Sequence, residues 1–183
     1  MPAHLILGGA RSGKSRLAEN LARAGGLPVT VIATAEALDA EMAARIRRHR
    51  DDRPSHWRTV ETPVALAETL RDEAREGRCV IVDCVTLWLL NLMAGAENLP
   101  EPPDAGSLLK LQAERTALLD LLPEVAGEVL LVSNEVGLGL VPETPLGRLF
   151  RDEAGRLNQA LAAACARVTF VAAGLPLTLK GNE

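Results

Sequence analysis

The sequence predicts a single, three-layer α/β domain over residues 1–183, with a mainly parallel β-sheet covered by helices on both faces. Apolar runs of strand length alternate along the chain with stretches whose apolar residues recur every three to four positions, the spacing of one helix face. The continuous run Val29–Ala33 is typical of a strand buried on both faces, as parallel strands are. Because 48% of the 183 residues are hydrophobic, the chain can bury one substantial core.

The first apolar run, residues 5–7, leads into a glycine-rich loop that is followed by a helical pattern. The loop fits the spacing G-x-x-x-x-G-K-[ST] and comprises Gly8, Gly9, Ala10, Arg11, Ser12, Gly13, Lys14 and Ser15. In this context, backbone N–H groups and the N-terminal end of the helix can surround phosphate oxygens. Lys14 would contact the outer phosphates, and the Ser15 hydroxyl would bind Mg²⁺. The flanking strand and helix favour a nucleoside-triphosphate site over a glycine-rich turn with a chance lysine.

The composition of the chain argues against several classes of function. A net charge of −4 and a pI of about 5.5 argue against a nucleic-acid binder that relies on neutralising phosphates, and an aromatic content of 2% leaves no stacking platform for bases. The three cysteines and three histidines show no zinc-binding spacing, and we expect Cys79 and Cys84 to be core residues of a reduced, cytoplasmic protein. No apolar run reaches the roughly 18 residues that span a membrane, and the N-terminus does not resemble a signal peptide.

The first helix is predicted at residues 16–24, following the phosphate loop, with Leu17 and Leu21 one turn apart. The glycine pair at 25–26 should end it, as glycine commonly does just past a helix. The strand Val29–Ala33 then leads into Thr34, Ala35 and Glu36. These three residues would lie at the carboxyl end of the strand, the edge at which open α/β sheets bind ligands.

A second cluster lies on a helix predicted at residues 39–50. Its apolar stripe is Leu38, Met42 and Ile46, and His49 follows on the same face, flanked by Arg45, Arg47, Arg48 and Arg50. Structurally, His49 can be a core residue or can complement the helix dipole at the C-terminus, and the arginines can form a solvated basic face. In the functional interpretation the arginines bind phosphates and keep His49 neutral, which lets its imidazole act as a nucleophile or a proton shuttle. Spacing alone leaves these alternatives open.

Pro54 should halt that helix, and a strand is predicted at residues 55–61, in which His56 and Trp57 pack rather than react. The next helix is predicted to begin with Thr62 as N-cap and Pro63 at its first position, and to end before a glycine at 77. Its buried stripe would be Leu66, Leu70 and Ala74.

The apolar strand Cys79–Asp83 ends in a carboxylate. At the tip of a buried strand beside the phosphate loop, Asp83 can hold the water shell of Mg²⁺ and complete a metal site with Ser15. The structural alternative is that Asp83 caps a helix predicted at residues 85–93. Both roles are compatible with the same position.

The remaining elements continue the alternation. Residues 95–106 are rich in proline, glycine and acidic side chains and are predicted as a long surface loop, and Ser107 should cap a helix at 107–122. A strand at 129–132 leads to a polar loop in which Glu135 either contacts metal or substrate or binds its own loop backbone. A long helix at 145–165, a strand at 168–172 and an edge strand at 177–179 complete the chain. We expect one site at the carboxyl ends of the strands, formed by the phosphate loop, residues 34–36, Asp83, Asn134 and Glu135.

Seven segments distributed over the chain are, taken together, typical of one family. They are residues 8–15, 32–36, 39–46, 49–54, 57–61, 83–89 and 134–139, and the similarity continues through 150–159 and 176–180. The sequence resembles the bifunctional adenosylcobinamide kinase / adenosylcobinamide-phosphate guanylyltransferase family of cobalamin biosynthesis. The phosphate loop alone is moderately specific, but its combination with the histidine segment and the Asn-Glu-Val-Gly loop is highly specific.

The resemblance implies two reactions on one RecA-like P-loop domain that assembles as a homotrimer. First, the aminopropanol hydroxyl of adenosylcobinamide receives the γ-phosphoryl group of ATP or GTP. Then GTP guanylylates a histidine, which matches His49 here, pyrophosphate leaves, and GMP passes to adenosylcobinamide phosphate. Relatives can carry two adjacent histidines where this chain has Arg48 and His49. The implied nucleotide contacts are Gly8 to Ser15, Thr34, Ala35, Glu36, Arg50, Asp51, Asp52, Arg53, Glu61 and Asp83.

Two other functions fit the same residues. One is a small-molecule P-loop kinase without nucleotidyl transfer, in which His49 only positions phosphate. The other is a RecA-like regulatory module whose nucleotide binding is structural. Labelling of the protein by GTP would separate these functions, since only guanylyl transfer through histidine attaches the nucleotide covalently.

Overall fold

The computed structural model describes residues 3–36, 40–51, 53–93 and 108–181. These ranges hold seven strands and six helices, which alternate as the sequence predicts. In chain order they are β1 (His4–Gly8), α1 (Lys14–Gly25), β2 (Val29–Ala33), α2 (Ala40–Asp51), β3 (Arg58–Glu61), α3 (Leu66–Glu73), β4 (Cys79–Asp83), α4 (Val85–Leu92), α5 (Leu109–Leu121), β5 (Glu128–Asn134), α6 (Pro145–Ala164), β6 (Arg167–Ala172) and β7 (Leu175–Lys180).

The strands form one sheet in the order β3-β2-β4-β5-β1-β6-β7. All neighbouring pairs are parallel except β6 and β7, which form an antiparallel hairpin at one edge. The mainly parallel sheet is therefore confirmed. Since parallel strands share one direction, the loops after β1, β2, β4 and β5 all emerge at the same edge, where a ligand site can assemble.

Alternate residues of the central strands enter two separate cores, one on each face of the sheet. Leu5 and Leu7 pack into the core that α3, α4, α5 and α6 cover, where Trp88 is fully buried. Ile6 points to the opposite face and packs against Ala18 of α1. The predicted three layers are thus confirmed, and each fully buried leucine or isoleucine contributes about 1.5–3 kcal/mol through removal of apolar surface from water.

The ends of two helices follow their sequence signals. Gly26 adopts the left-handed conformation at the C-terminal end of α1 (φ 65°), as the glycine pair predicts. Thr144 Oγ1 accepts a hydrogen bond from Gly147 N at 3.1 Å, and Pro145 occupies the first turn of α6. The long helix therefore begins where proline predicts it.

The helix predicted to begin at Thr62 and Pro63 begins instead at Leu66. The backbone N–H of Thr62 donates to the Ala33 carbonyl at 2.9 Å, which extends the pairing of β3 with β2 by one residue. Thr62 is therefore held in an extended conformation and cannot cap a helix, so the prediction was wrong. The predicted stripe is buried nonetheless, and consists of Leu66, Leu70 and Ala74.

Strand β3 is shorter than predicted because a turn precedes it, closed by Trp57 N donating to the Pro54 carbonyl at 3.0 Å. Trp57 is buried and stacks beneath the Arg23 guanidinium, whose carbon lies 5.3 Å from the ring centroid. His56 is exposed, so its predicted packing was wrong. Strand β5 is longer than predicted and includes Asn134, because its pairing with β1 continues to that residue.

Some predictions concern residues that lie outside the described ranges. These residues are Leu38, Asp52, the loop 95–106 and the predicted cap Ser107. Helix α5 begins at Leu109 with Leu108 in the cap position. Within the described ranges, none of the helices has the length and apolar content of a membrane-spanning segment.

Several titratable groups are buried in the two cores. The three cysteines are free and buried, which confirms the core assignment of Cys79 and Cys84, and burial raises the pKa of Cys79 and Cys165 to about 12. His4 is also buried, and its Nε2 shares a hydrogen bond of 2.8 Å with Thr169 Oγ1. Burial, assisted by the positive charge of Arg167, lowers the pKa of His4 to about 4.

Candidate nucleotide-binding site

A cavity of about 580 Å³ lies at the carboxyl edge of the sheet, a volume typical of small-molecule sites. The phosphate loop, the ends of β2, β4 and β5, helix α2 and the β6–β7 turn all contribute to its walls. The lining residues are Arg11, Ser12, Gly13, Lys14, Ser15, Arg16, Ala33, Ala35, Ile46, Arg53, Asp83, Cys84, Leu87, Val132, Asn134, Ala173 and Gly174. Of the residues expected at this edge beyond the phosphate loop, Ala35, Asp83 and Asn134 line the cavity, and Thr34, Glu36 and Glu135 are not among the lining residues.

The phosphate loop is compact and internally hydrogen-bonded. Arg11 (φ 56°) and Gly13 (φ 100°) both adopt the left-handed conformation, which turns the chain sharply into α1. Lys14 Nζ donates to the Gly9 carbonyl at 2.9 Å, and the Lys14 side chain is buried over the loop. Ser12 N closes the turn by donating to the same carbonyl at 3.3 Å. This conformation is suited to enclosing an oxyanion.

The loop packs so tightly on the sheet that Gly8 has no space for a side chain. A Cβ there would lie against Ser12 Oγ and 2.5 Å from the Val171 carbonyl oxygen. Ser12 Oγ is itself buried, and it is one of two buried side-chain polar atoms in the described residues without a hydrogen-bond partner. A buried hydroxyl in the wall of a basic cavity is costly unless a ligand satisfies it. Ser12 therefore offers a hydrogen bond to a polar ligand in the cavity.

The charge of the cavity is strongly positive. Four basic side chains, Arg11, Lys14, Arg16 and Arg53, line it together with one carboxylate, Asp83. Arg53 Nη2 lies 2.5 Å from Asp83 Oδ2, and the Arg53 side chain is only 8% exposed. Four cations against one anion match the several negative charges of a polyphosphate.

Asp83 contributes its side chain to the cavity and not to a helix cap. The cap residue of α4 is Cys84, whose Sγ accepts a hydrogen bond from Leu87 N at 3.4 Å. The interpretation of Asp83 as a helix cap was therefore wrong. Burial, followed by the negative charge of Asp83, raises the pKa of the Cys84 thiol, so this sulfur stays protonated.

Thr34 joins the ends of two strands. Its buried Oγ1 donates to the Cys84 carbonyl at 2.7 Å and accepts from Cys84 N at 3.0 Å. Asn91 Nδ2 donates a hydrogen bond to the Thr34 carbonyl at 2.7 Å. The next residue, Ala35, lines the cavity, while Glu36 is exposed. Thr34 thus positions the cavity wall, a function that the sequence did not reveal.

A buried polar network positions Asn134 at the end of β5. Its N–H donates to Thr86 Oγ1 at 2.6 Å, and its carbonyl accepts from Asn158 Nδ2 at 3.2 Å. Ser133 Oγ donates to Asn158 Oδ1 at 2.7 Å, which connects the strand to α6. Glu135 Oε1 accepts from Gly137 N at 2.6 Å, so of its two predicted roles the structure supports binding to its own loop backbone.

Two residues that border the cavity lie on either side of position 49 in the sequence, the first on helix α2 and the second beyond its C-terminal end. Ile46 and Arg53 line the cavity, and His49 follows Ile46 by three residues in the helix, which places the two positions on neighbouring parts of one helix face. The side chain of His49 and the whole of Asp52 lie outside the described residues. Of the expected nucleotide contacts, those not among the lining residues are Gly8, Gly9, Ala10, Thr34, Glu36, Arg50, Asp51 and Glu61.

The turn between β6 and β7 is also part of the site, although the sequence did not predict it. Ala173 (φ 52°) and Gly174 (φ 80°) form a tight hairpin turn, and Gly174 N donates to the Ser12 carbonyl at 2.8 Å. The Ala-Gly pair between two apolar runs is a turn signal, but its contact with the phosphate loop depends on β6 lying beside β1. That neighbour relation is not encoded in any local pattern.

Comparison with known proteins identifies the family. The family model described as cobinamide kinase / cobinamide phosphate guanyltransferase matches residues 4–179. The bifunctional adenosylcobalamin biosynthesis protein CobP of Pseudomonas aeruginosa is 58% identical over 178 residues, 97% of each chain. The bifunctional adenosylcobalamin biosynthesis protein CobU of Escherichia coli is 44% identical over 179 residues, 96% of this chain and 98% of that protein.

The fold is similar to that of a recombinase. The crystal structure of the RadB recombinase superimposes with a TM-score of 0.50 and 16% identity, covering 92% of this chain and 73% of that chain. This likeness agrees with the predicted RecA-like architecture and bears on the fold alone. The family model and the near full-length relatives together establish that the chain belongs to the cobinamide kinase / cobinamide phosphate guanyltransferase family.

Proposed function

We propose that this chain catalyses both transfers for which its family is named, using a single nucleotide site. One observation carries the proposal: the phosphate loop lines the same cavity as Ile46 and Arg53, the residues that flank His49 in the sequence. A single bound triphosphate in this cavity could present its γ-phosphorus to an acceptor, or its α-phosphorus to the histidine. The homotrimer, the single-domain organisation and the cytoplasmic location stay predictions.

In the kinase reaction, the hydroxyl oxygen of adenosylcobinamide attacks the γ-phosphorus of ATP or GTP. An O–P bond forms, the bond from the γ-phosphorus to the bridging oxygen breaks, the nucleoside diphosphate leaves, and the hydroxyl proton passes to solvent. Catalysis of this kind depends on positioning and on stabilising charge. Lys14, Arg11 and Arg16 supply that charge from the cavity wall.

The residues at the cavity fit a magnesium ion. Ser15 and Asp83 both line it and offer a hydroxyl and a carboxylate oxygen, the hard oxygen donors that Mg²⁺ prefers. In the described residues no group of three or more histidine, cysteine or acidic side chains could hold a metal by itself. We propose that Ser15 and Asp83 would hold Mg²⁺ at this cavity, and the ion would neutralise developing phosphate charge.

In the guanylyltransferase reaction, an imidazole nitrogen of His49 attacks the α-phosphorus of GTP, forming an N–P bond as pyrophosphate leaves. A phosphate oxygen of adenosylcobinamide phosphate then attacks that phosphorus, and the N–P bond breaks to give adenosylcobinamide-GDP. Splitting the transfer lets pyrophosphate depart before the second phosphorylated substrate approaches, which avoids repulsion between them. The neighbouring Arg50 and Arg53 would support the charge on the nucleotide.

The test is covalent labelling with GTP that carries the label at its α-phosphate. We expect acid-labile, base-stable label on the wild-type protein and none on His49→Ala, which should still phosphorylate adenosylcobinamide. His56→Ala is the matched control, because His56 is exposed and lies seven residues further on. Lys14→Ala should damage both reactions.

The outcomes separate the alternatives. Normal guanylyl transfer by His49→Ala would refute the role of that residue. A wild-type protein that phosphorylates the acceptor without becoming labelled would be a plain small-molecule kinase. A protein that binds nucleotide without label or turnover would be a regulatory module.

A further inference from the structure

A cluster of apolar side chains projects into solvent just after β5. Leu138, Leu140 and Val141 are 81%, 96% and 64% exposed. We call residues 138–141 the apolar loop; neither it nor the two residues before it carry a charged side chain. Large apolar side chains grouped on a surface in this way mark a binding site more often than isolated ones do. The packing of the chain itself does not explain them.

The apolar loop leaves the sheet at the edge of the nucleotide cavity. Strand β5 lies between β4, which ends in Asp83, and β1, which ends in the phosphate loop. Its last residue, Asn134, lines the cavity. Glu135 N donates to the Gly8 carbonyl at 3.0 Å, so the chain is still attached to the phosphate loop as it departs. The apolar side chains therefore follow within a few residues of the place where both reactions must occur.

The segment is fixed at both ends. At its start, the polar network of Thr86 and Asn158 holds Asn134. At its end, Arg148 Nη1 donates to the carbonyls of Pro142 and Glu143 at 3.2 and 2.8 Å. A surface loop held in this way loses less conformational entropy when a ligand covers it, and binding is correspondingly stronger.

We propose that the apolar loop is the docking surface for the corrin ring of the acceptor, which rests on the proposed function. The cavity is basic and of a size that suits the nucleotide. A macrocycle cannot share that volume with a triphosphate, so only the arm that carries the hydroxyl or phosphate can enter. The ring must stay at the mouth, where an uncharged apolar surface can bury its faces. Basic cavity and apolar loop thus recognise the two parts of one amphipathic acceptor.

A second exposed apolar row lies on β7 and provides the control. Leu177 and Leu179 are 60% and 57% exposed on this edge strand. Strand β7 runs antiparallel to β6, away from the cavity edge, so these two side chains lie outside the mouth. Their replacement removes two exposed leucine side chains, as the loop variant does, without touching the proposed surface.

The experiment compares the wild type with Leu138→Ser/Leu140→Ser, Leu138→Met/Leu140→Met and Leu177→Ser/Leu179→Ser. Cobinamide binding is measured by equilibrium dialysis, followed by the visible absorption of the corrin ring. KM values for cobinamide and ATP, labelling by GTP and sedimentation are measured alongside. We expect the loop serine variant to bind cobinamide about tenfold or more weakly, with a matching rise in KM for cobinamide. The KM for ATP and GTP labelling should not change, and the methionine variant and the β7 control should stay within about twofold of the wild type.

Unchanged cobinamide affinity in the loop serine variant would overturn the inference, and so would an equal loss in the β7 control. A fall in the sedimenting mass of the loop serine variant would show that the loop covers a second copy of the chain instead. A wild-type protein that neither binds nor phosphorylates cobinamide would refute the proposed function as well. Normal wild-type turnover with an unaffected loop variant refutes the docking surface alone.

Discussion

Replacing Gly8 by alanine tests how tightly the phosphate loop packs on the sheet. A Cβ on Gly8 would lie against Ser12 Oγ and 2.5 Å from the Val171 carbonyl oxygen. Val171 belongs to β6 and is paired with Gly8 in the parallel ladder, so its carbonyl cannot retreat without weakening that pairing. A Cβ on Gly9 would meet no atom within 4 Å, and neither glycine has a positive φ. Gly9→Ala is therefore the matched control.

Two opposing contributions determine the size of the effect. Adding a methyl group to a filled site costs about 1–3 kcal/mol, whereas removing the backbone freedom of a glycine returns about 0.5–1 kcal/mol. We expect Gly8→Ala to lower the free energy of unfolding by about 1–2 kcal/mol. Gly9→Ala has only the second contribution, so its free energy of unfolding without nucleotide should equal or slightly exceed that of the wild type.

Urea unfolding of the nucleotide-free proteins measures both values, with equal m-values showing that the same surface is exposed in each case. The Gly8 variant should also bind nucleotide more weakly, because Ser12 must move away from the added methyl group. Equal unfolding free energies for the two variants would refute the reasoning, since an added Cβ meets close contacts at Gly8 and no atom within 4 Å at Gly9.

Two further predictions concern buried polar groups. Well above pH 6.5 the imidazole of His4 is neutral in both the native and the unfolded state. As the pH falls toward 4 the unfolded chain binds a proton that the native protein does not, so stability is lost. His4→Gln should reduce this loss by up to about 3 kcal/mol between pH 7.5 and 4.5, measured by urea unfolding. Thr34→Val should cost about 2–3 kcal/mol, because it removes both hydrogen bonds to Cys84, whereas Thr34→Ser should cost about 1 kcal/mol.

Each of these predictions has a result that contradicts it. An identical pH dependence of the wild type and His4→Gln would mean that the native protein binds the proton as readily as the unfolded chain. A Thr34→Val variant as stable as Thr34→Ser would mean that the methyl group, and not the hydroxyl, joins the ends of β2 and β4.

The elements from the first strand to the second could be predicted because their sequence patterns are local. They include the phosphate loop and the first helix. An apolar run, a glycine-rich motif and a helical spacing follow one another within residues 4–33, and the structure has β1, α1 and β2 there. Gly26 is left-handed just past the C-terminal end of α1, where glycine is expected, and Gly13 is left-handed in the turn of the phosphate loop that leads into the helix. Each of these features depends on neighbours a few residues away.

The contacts that shape the site are not local and could not be predicted in this way. Arg53 and Asp83 are 30 residues apart, and Gly174 contacts Ser12 across most of the chain. Both contacts depend on the order of the strands, which no segment encodes by itself. Thr62 shows the converse, because its strong local signal for a helix start is overridden by a hydrogen bond to Ala33 of the neighbouring strand.

The net charge of the chain and the charge of its cavity have opposite signs. The chain carries −4, whereas four basic side chains and one carboxylate line the cavity. At physiological ionic strength charges are screened over about 8 Å, so a bound triphosphate interacts mainly with the cavity walls and little with distant acidic residues. An acidic composition therefore argues against an extended polyanion, which needs an extended basic surface, without arguing against a compact one. Because the basic residues come from positions 11–16 and 53, which only the order of the strands brings together, composition alone could not have revealed the site.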